Sequence, residues 1–228
     1  MPASRQGGFA DFLGYARDYS LNERPCFYEK GGEARCLDRH PTDATTDLAL
    51  ERLEALSGDP FALFVSYQAP QYPAQPDPRY LSTYADAAIH TWASYDEAAD
   101  RNSGWERPWH PPSLWPPLER LAYHQHSGNF DAYMRLYYAV VTQLDANVGR
   151  LLARLDDLDL ADDTVVLFTA AHGHLQRRYG LKNVSLPYEE SVGIPLIVRV
   201  PGGSRGMVTD ALVSGVDFYP TCLDYAGL

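Results

Sequence analysis

Basic residues are scarce in this sequence: 19 Lys and Arg stand against 30 Asp and Glu, for a formal net charge of −11 and a pI near 5.0. Nucleic acid and anionic membrane both need a basic face, so neither is expected as a partner. The acidic surface otherwise speaks of solubility and says little about substrate. Long apolar runs are also missing. Nothing reaches the ~20 residues of a membrane span, and residues 1–15 lack the basic start and apolar core of a secretory signal, so the chain would be cytoplasmic if Met1 is the natural start. Cysteine is rare, and the 3 present cannot all pair. Cys26 and Cys36 flank a Gly-Gly segment that can fold back as a hairpin and hold a disulfide; two free thiols are the simpler reading. Cys222 sits in an apolar stretch and reads as a small core residue.

What is present is an ordinary globular composition, 45% hydrophobic and 21% charged over 228 residues, enough for one large domain or two small ones. Residues 1–14 are Gly-rich and loop-like, ending on Phe9, Phe12 and Leu13, and 15–41 read as loops with one short hairpin around Gly31-Gly32. Residues 42–56 form a helix: Thr42 or Asp43 can cap it, and Leu48, Leu50, Leu53 and Leu56 give it an apolar face. The run Phe61–Tyr67 is apolar throughout, the signature of a strand buried on both faces. It opens into the Pro-rich loop Gln68–Pro76. Residues 79–127 form an irregular Trp/Pro-rich insertion in which 80–90 have some helical character. Its Trp residues (Trp105, Trp109, Trp115) read as packing groups. Its His residues (His110, His124, His126) lack the ligand-pair spacing of a zinc motif and read as scattered surface groups.

A long amphipathic helix follows. Tyr133, Leu136, Tyr137, Val140, Val141, Leu144, Val148, Leu151, Leu152, Leu155 and Leu158 keep helical spacing over about seven turns. Gly149 inside it costs on the order of 1 kcal/mol relative to Ala, which predicts a close packing contact there. Asp162-Asp163 turn the chain into a second apolar strand, 164–169, which ends in Ala171-His172-Gly173-His174. A basic irregular stretch (Arg177, Arg178, Lys182) precedes Glu189-Glu190 and a third apolar strand, 195–200. Residues 211–214 are a candidate edge strand, and Asp217 can cap a last helix, 218–225. Helices alternating with apolar strands imply an α/β fold with a mostly parallel sheet flanked by helices. The handed crossover rule then puts the tips after Tyr67 and Thr169 on one edge, so that 68–76 and 170–186 share a cleft.

At these residues the chain resembles the sulfatase family of the alkaline-phosphatase superfamily. Gln6–Tyr15 is similar to its Gly-Phe-Asp-x-Phe-x-Gly-Tyr segment, and Ser66–Gln75 to its Tyr-x-Ala-Pro-His-x-Pro loop. Ala139–Leu152 is similar to Ala-x-Val-x-x-Leu-Asp-x-x-Val-Gly-Arg-Leu-Leu, and Asp163–Gly173 to Asp-Thr-x-Val-x-Phe-Thr-Ser-Asp-His-Gly. Pro187–Val198 resembles Pro-Tyr-Glu-Glu-Ser-x-Arg-x-Pro-Leu-Ile-x, and Val216–Leu228 resembles Val-Asp-x-x-Pro-Thr-Leu-Leu-Asp-x-Ala-Gly. The resemblance implies hydrolysis of a sulfuric ester. The nucleophile would be a formylglycine made from the Cys of Cys-x-Pro-x-Arg. A Ca²⁺ or Mg²⁺ ion held by carboxylates would polarise the sulfate, and Lys and His would offset charge and protonate the leaving group.

The chain departs from that pattern position by position. Cys-x-Pro-x-Arg is absent; Met1-Pro-Ala-Ser-Arg5 imitates its ending, but a thioether cannot serve as the nucleophile. The 228 residues read as a partial sulfatase-like domain, incomplete at the N-terminus. The loop His is Gln71, which can donate a hydrogen bond to sulfate but is no acid at neutral pH. The metal-binding Asp is Ala171, with no ligand atom, beside a retained His172 that reads as a vestigial ligand. The Lys position is Val184, with Lys182 a possible substitute only if the loop slips, and the Arg position is Gly193. No Ca²⁺ or Mg²⁺ is therefore expected to bind. Three readings follow, in order of preference. The chain is a non-catalytic sulfatase-family domain, either decayed or acting in binding or assembly. It is the C-terminal half of a split sulfatase completed by a partner chain, which Ala171 counts against. Or it is a hydrolase rebuilt on His172, His174 and a third His. Glu189-Glu190 reads as a packing segment rather than an acid/base pair, and Arg177, Arg178 and Lys182 as a solvated loop rather than an anion site. Missing central strands would leave a sheet edge exposed and prone to self-association.

Overall fold

The computed structural model of the chain describes residues 11–15, 25–29, 34–71, 74–93, 130–176, 178 and 187–228. Three short strands form an antiparallel sheet in the order β1 (Leu13–Tyr15), β2 (Cys26–Glu29) and β3 (Ala34–Cys36). The β2–β3 register places Cys26 opposite Cys36, and the two form a disulfide. This corrects the simpler expectation of two free thiols. Directly opposed residues of an antiparallel pair lie within disulfide reach, and the hairpin supplies that opposition. Gly31 and Gly32 themselves lie outside the described residues. Cys222 is a free, half-buried thiol.

The first helix, α1 (Pro41–Leu56), begins one residue earlier than expected. Pro41 suits the first turn, where its missing N–H breaks no bond. The N-cap is His40 rather than Thr42 or Asp43: its Nδ1 accepts the Thr42 N–H at 3.2 Å. Thr42 and Asp43 are instead buried. The sheet packs on α1 through Phe27 against Ala44 and Leu48, with Leu13 and Leu37 at the margin. Arg35 of β3 holds Glu51 of α1 by two hydrogen bonds of 2.5 and 2.7 Å, and this bonding lowers the Glu51 carboxyl pKa.

The long helix α2 (Phe130–Asp157) packs along α1. Its buried stripe holds Met134, Ala139, Val140 and Leu155, and also two polar residues, Gln143 and Asn147. The expected close contact at Gly149 is not there. Gly149 is exposed, and a methyl at its Cβ position would meet nothing within 4 Å. Its turn faces solvent, because the polar pair and Leu155 define the packed side.

The second sheet pairs β4 (Val166–Thr169) with β5 (Leu196–Arg199) in antiparallel register, Val166 opposite Arg199 and Thr169 opposite Leu196. Both described sheets are thus antiparallel, whereas the alternation of elements predicts mostly parallel pairing. The described part of the link between β4 and β5 holds the four-residue helix α3 (Glu189–Val192). The segment 61–67 is extended and alternates half-buried and exposed residues, yet lies outside both sheets; one face is covered where burial on two was expected. Residues 80–90 are not a helix. A 3₁₀ turn at Pro78–Tyr80, with Asp77 accepting the Arg79 N–H at 2.9 Å, leads into turns through 86. Residues 211–214 are exposed and form no strand. The last helix, α4 (Phe218–Tyr225), matches its expected bounds. It follows a 3₁₀ turn at Gly215–Asp217, where Asp217 accepts the Ser214 N–H at 2.7 Å. The Trp/Pro-rich stretch from 94 onward, with Trp105, Trp109, Trp115, His110, His124 and His126, lies outside the described residues.

Candidate functional site

The tip after β4 leaves the strand at Ala170. Gly173 then lies flat against the backbone of α3: its N–H donates to the Ser191 carbonyl at 2.9 Å. A Cβ at 173 would sit 2.0 Å from the Glu190 carbonyl oxygen, so only glycine allows this approach. The tip and α3 are therefore one piece, and Ala171 and His172 stand exposed on it. The Nδ1 of His172 lies 2.9 Å from the Gly173 carbonyl, so a proton on Nδ1 bonds it. His174 turns inward. Burial, with His172 nearby as a lesser cause, lowers its imidazole pKa to about 4, so it is neutral at pH 7. Its Nδ1 accepts the Gln176 N–H at 3.2 Å, which places the proton on Nε2.

A cavity of about 290 Å³ opens beside the tip, between α2 and the 174–178 loop. Tyr137, Tyr138 and Trp92 form its aromatic side, and His174 and Gln176 face it from the loop. Burial raises the Tyr137 phenol pKa. Arg178 is not the solvated group the sequence suggests. Its Nη1 donates to Glu190 Oε1 at 2.6 Å, and its guanidinium carbon lies 4.8 Å over the Trp92 ring. Glu190, considered as half of an acid/base pair, is the mostly buried partner in that ion pair, with 13% side-chain exposure.

The second loop, 68–77, starts with a cis peptide at Ala69-Pro70 and a turn in which the Gln71 N–H donates to the Gln68 carbonyl at 2.9 Å. Gln71 itself is exposed. The far end of the loop is held tightly. His40 Nε2 donates to the Gln75 carbonyl at 2.8 Å, and the Asp77 N–H donates to Gln143 Oε1 at 2.9 Å. Arg79 bonds both Asp77, at 2.8 Å, and Asp43. That bonding lowers the Asp77 carboxyl pKa and raises that of the Arg79 guanidinium. Asn147 Nδ2 donates to Asp43 Oδ1 at 2.7 Å, and Arg150 donates to Asn147 Oδ1 at 2.9 Å and bonds Asp47. Tyr67, at the mouth of the loop, shares a hydrogen bond of 2.8 Å with Thr46 of α1.

Sequence reasoning did not single out this buried network. Its one sequence trace is the polar pair Gln143 and Asn147, spaced i and i+4 on an otherwise apolar helix face. Lys182 and Val184 lie outside the described residues, as does Arg177. Gly193 is exposed at the end of α3.

The family model of the sulfatases, described simply as Sulfatase, matches residues 2–228. The chain belongs to the sulfatase family. Human arylsulfatase K is 28% identical over 193 residues, covering 80% of this chain and 36% of the relative. The N-acetylglucosamine-6-O-sulfatase of Bacteroides thetaiotaomicron is 37% identical over 103 residues, 45% of this chain and 18% of the relative. Among solved structures, a protein bound to its substrate D-glucosamine-2-N,6-O-disulfate superposes with a TM-score of 0.77 at 25% identity, covering 97% of this chain and 56% of that one. The α/β fold of the alkaline-phosphatase superfamily is thereby established, and the chain spans about a third or less of these two curated relatives.

Sulfatases are generally metal-dependent, so the donor set of this chain can be tested against a hard cation. Ca²⁺ and Mg²⁺ require about six or more oxygen ligands. The tip offers a methyl group at 171, an exposed imidazole at 172 and a buried neutral imidazole at 174. Among the described residues no three His, Cys, Asp or Glu converge. These side chains do not fit a hard divalent cation.

Proposed function

We propose that this chain is a sulfatase-family unit that does not hydrolyse sulfuric esters by itself. The observation that carries the reading is Ala171. It stands exposed on a tip fixed by Gly173 and α3, at the position where the family resemblance puts a metal carboxylate, and it offers no ligand atom. Gln71, exposed on the neighbouring loop, supports the same reading, because an amide can hydrogen-bond a sulfate oxygen but cannot protonate a leaving group near pH 7. Val184 at the Lys position, with Lys182 two residues away, agrees with it at the level of sequence. The test is an aryl-sulfate turnover assay on the purified chain and on an Ala171→Asp/Gln71→His double variant. Neither is expected to turn over, since the 228 residues contain no Cys-x-Pro-x-Arg nucleophile. Measurable hydrolysis by the natural chain would overturn the proposal.

A second reading is favoured by β5. Leu196, Ile197 and Val198 are consecutive, and all are exposed, at 37%, 63% and 44%. Successive strand residues point to opposite faces, so neither face of this apolar strand is covered. Such a strand suits the interior of a larger sheet, which supports completion by a partner chain carrying the nucleophile-bearing part of the fold, or self-association through the same surface. A neighbouring reading frame with Cys-x-Pro-x-Arg and paired Asp would support the partner. Light scattering that finds a monodisperse monomer, with no complex formed on co-expression, would remove this reading.

A further inference from the structure

We infer that the cavity between α2 and the 174–178 loop is a binding site for an uncharged, planar ring compound whose edge carries an N–H beside a C=O, as in an aromatic lactam or carboxamide. The inference does not depend on whether the chain hydrolyses sulfuric esters, and neither Ala171 nor His172 lines the cavity. At about 290 Å³ it stands near the lower end of the ~300–1,000 Å³ usual for small-molecule sites, with room for one or two rings. Trp92, Tyr137 and Tyr138 give it aromatic walls, on which a flat ring packs by stacking or edge to face. Gln176 is the unusual member of the lining. It is only 8% exposed, and its φ of 46° lies on the left-handed side that residues with a Cβ rarely adopt. Such backbone strain persists only where the surroundings hold it, and it gathers at binding sites. The Gln176 amide stands near the Tyr137 phenol and opposes the rise in its pKa, yet neither amide atom completes a hydrogen bond among the described residues. The Trp92 Nε1–H lacks a partner there as well. Unpartnered polar groups on two walls of one cavity lower stability, and a polar ligand edge satisfies them.

The charges on the lining select the ligand. Arg178 is already engaged: its Nη1 donates to Glu190 Oε1 at 2.6 Å, and its guanidinium carbon lies 4.8 Å over the Trp92 ring. His174 Nδ1 accepts the Gln176 N–H, so the imidazole is uncharged and carries its proton on Nε2. Arg178 and Glu190 cancel, and an anionic or cationic ligand would enter without a counter-charge of its own. A primary amide with both ends open pairs with a neighbouring donor and acceptor through two parallel hydrogen bonds, as glutamine does with the edge of adenine. The N–H groups of His174 and Trp92 add further donors to the lining, which suits a ligand richer in acceptors than in donors.

The test is ¹H–¹⁵N NMR of the full chain titrated with isoquinolinone, a planar bicyclic lactam. Two ring compounds of like size serve as controls: isoquinoline, which lacks the N–H and C=O edge, and naphthoate, which carries a negative charge. The expected result is saturable shifts of the Trp92 indole N–H and the Gln176 side-chain amide, with a Kd at or below about 1 mM for isoquinolinone and at least tenfold weaker binding of both controls. Gln176→Asn tolerates a positive φ and withdraws the amide by one methylene. It is expected to weaken isoquinolinone at least tenfold and to leave isoquinoline within twofold. If Gln176→Asn fails to fold, Gln176→Gly, which suits that backbone best, takes its place with the same expectation. Shifts that do not saturate by about 5 mM, shifts confined to residues away from the cavity, isoquinoline or naphthoate binding within twofold of isoquinolinone, or unchanged isoquinolinone affinity in the folded variant would each overturn the inference. Turnover of an aryl sulfate by the natural chain would instead overturn the function proposed above and leave this inference standing.

Discussion

The helix pair α1–α2 has the more polar sequence and the strand pair β4–β5 the more apolar one, yet their burial runs the other way. Between α1 and α2 even the polar groups are buried and satisfied: Asp43, Gln143 and Asn147 bond one another and their neighbours. Around β5 the apolar groups are exposed, Ile197 at 63% and Val198 at 44%. The helix pair buries its polar centre, whereas the strand pair leaves apolar side chains exposed.

The comparison breaks most visibly at Asp43. Asp43→Leu should cost about 4 kcal/mol in denaturant unfolding, because it strands Asn147 and Gln143 donors and the Arg79 guanidinium. A loss below 1 kcal/mol would mean the helix pair does not depend on its polar centre. Acid tests the neighbouring tip. His174 has its pKa lowered to about 4 by burial, below the ordinary value of about 6.5. Between those values the unfolded chain binds a proton that the folded chain refuses. Stability is therefore full above about pH 6.5 and falls as pH drops toward 4, by on the order of 3 kcal/mol for this group. A His174→Gln variant should flatten that part of the pH–stability curve, and an unchanged curve would contradict the burial.

The Cys26–Cys36 bridge closes a loop with a sequence separation of 10. Replacing both with Ser should cost roughly 2–3 kcal/mol, and hydrogen exchange should show the loss in β1–β3 rather than in β4–β5. Gly149 gives an effect of opposite sign. With open space around its missing Cβ, Gly149→Ala should stabilise by about 1 kcal/mol; a destabilised variant would restore the packing contact expected there. The smallest effect belongs to β5. Ile197→Lys should change stability by no more than about 0.5 kcal/mol and should reduce self-association seen by light scattering. A large loss would show that the strand's exposed face is already in use within the chain.

The same contrast explains which features were legible in the sequence. α1, α2, β4, β5 and α4 all lie within a few residues of their expected bounds, because apolar period and turn residues are local signals. The family was legible for a related reason: its motifs are short, and their order survives. The antiparallel pairing of β4 with β5, and the place of 61–67 outside both sheets, were not legible. Pairing depends on neighbours far along the chain, and a buried-type strand looks the same whether or not those neighbours are present. The buried polar network was hidden for a third reason. His40, Asp43 and Gln143 span about a hundred positions, and polar residues there carry no periodic signal except the Gln143–Asn147 pair. Even Cys26 and Cys36 needed the register of two short strands to decide between thiol and disulfide.

Gly173 has one further consequence. The carbonyl of Glu190 occupies the space any larger residue would need, so the tip with Ala171 and His172 and the ion pair of Arg178 with Glu190 share a single foundation. A change on the cavity side that moves Glu190 must also move the tip, since no compressible layer lies between them. In this chain the tip after β4 and the wall of the aromatic cavity are two faces of one packed unit.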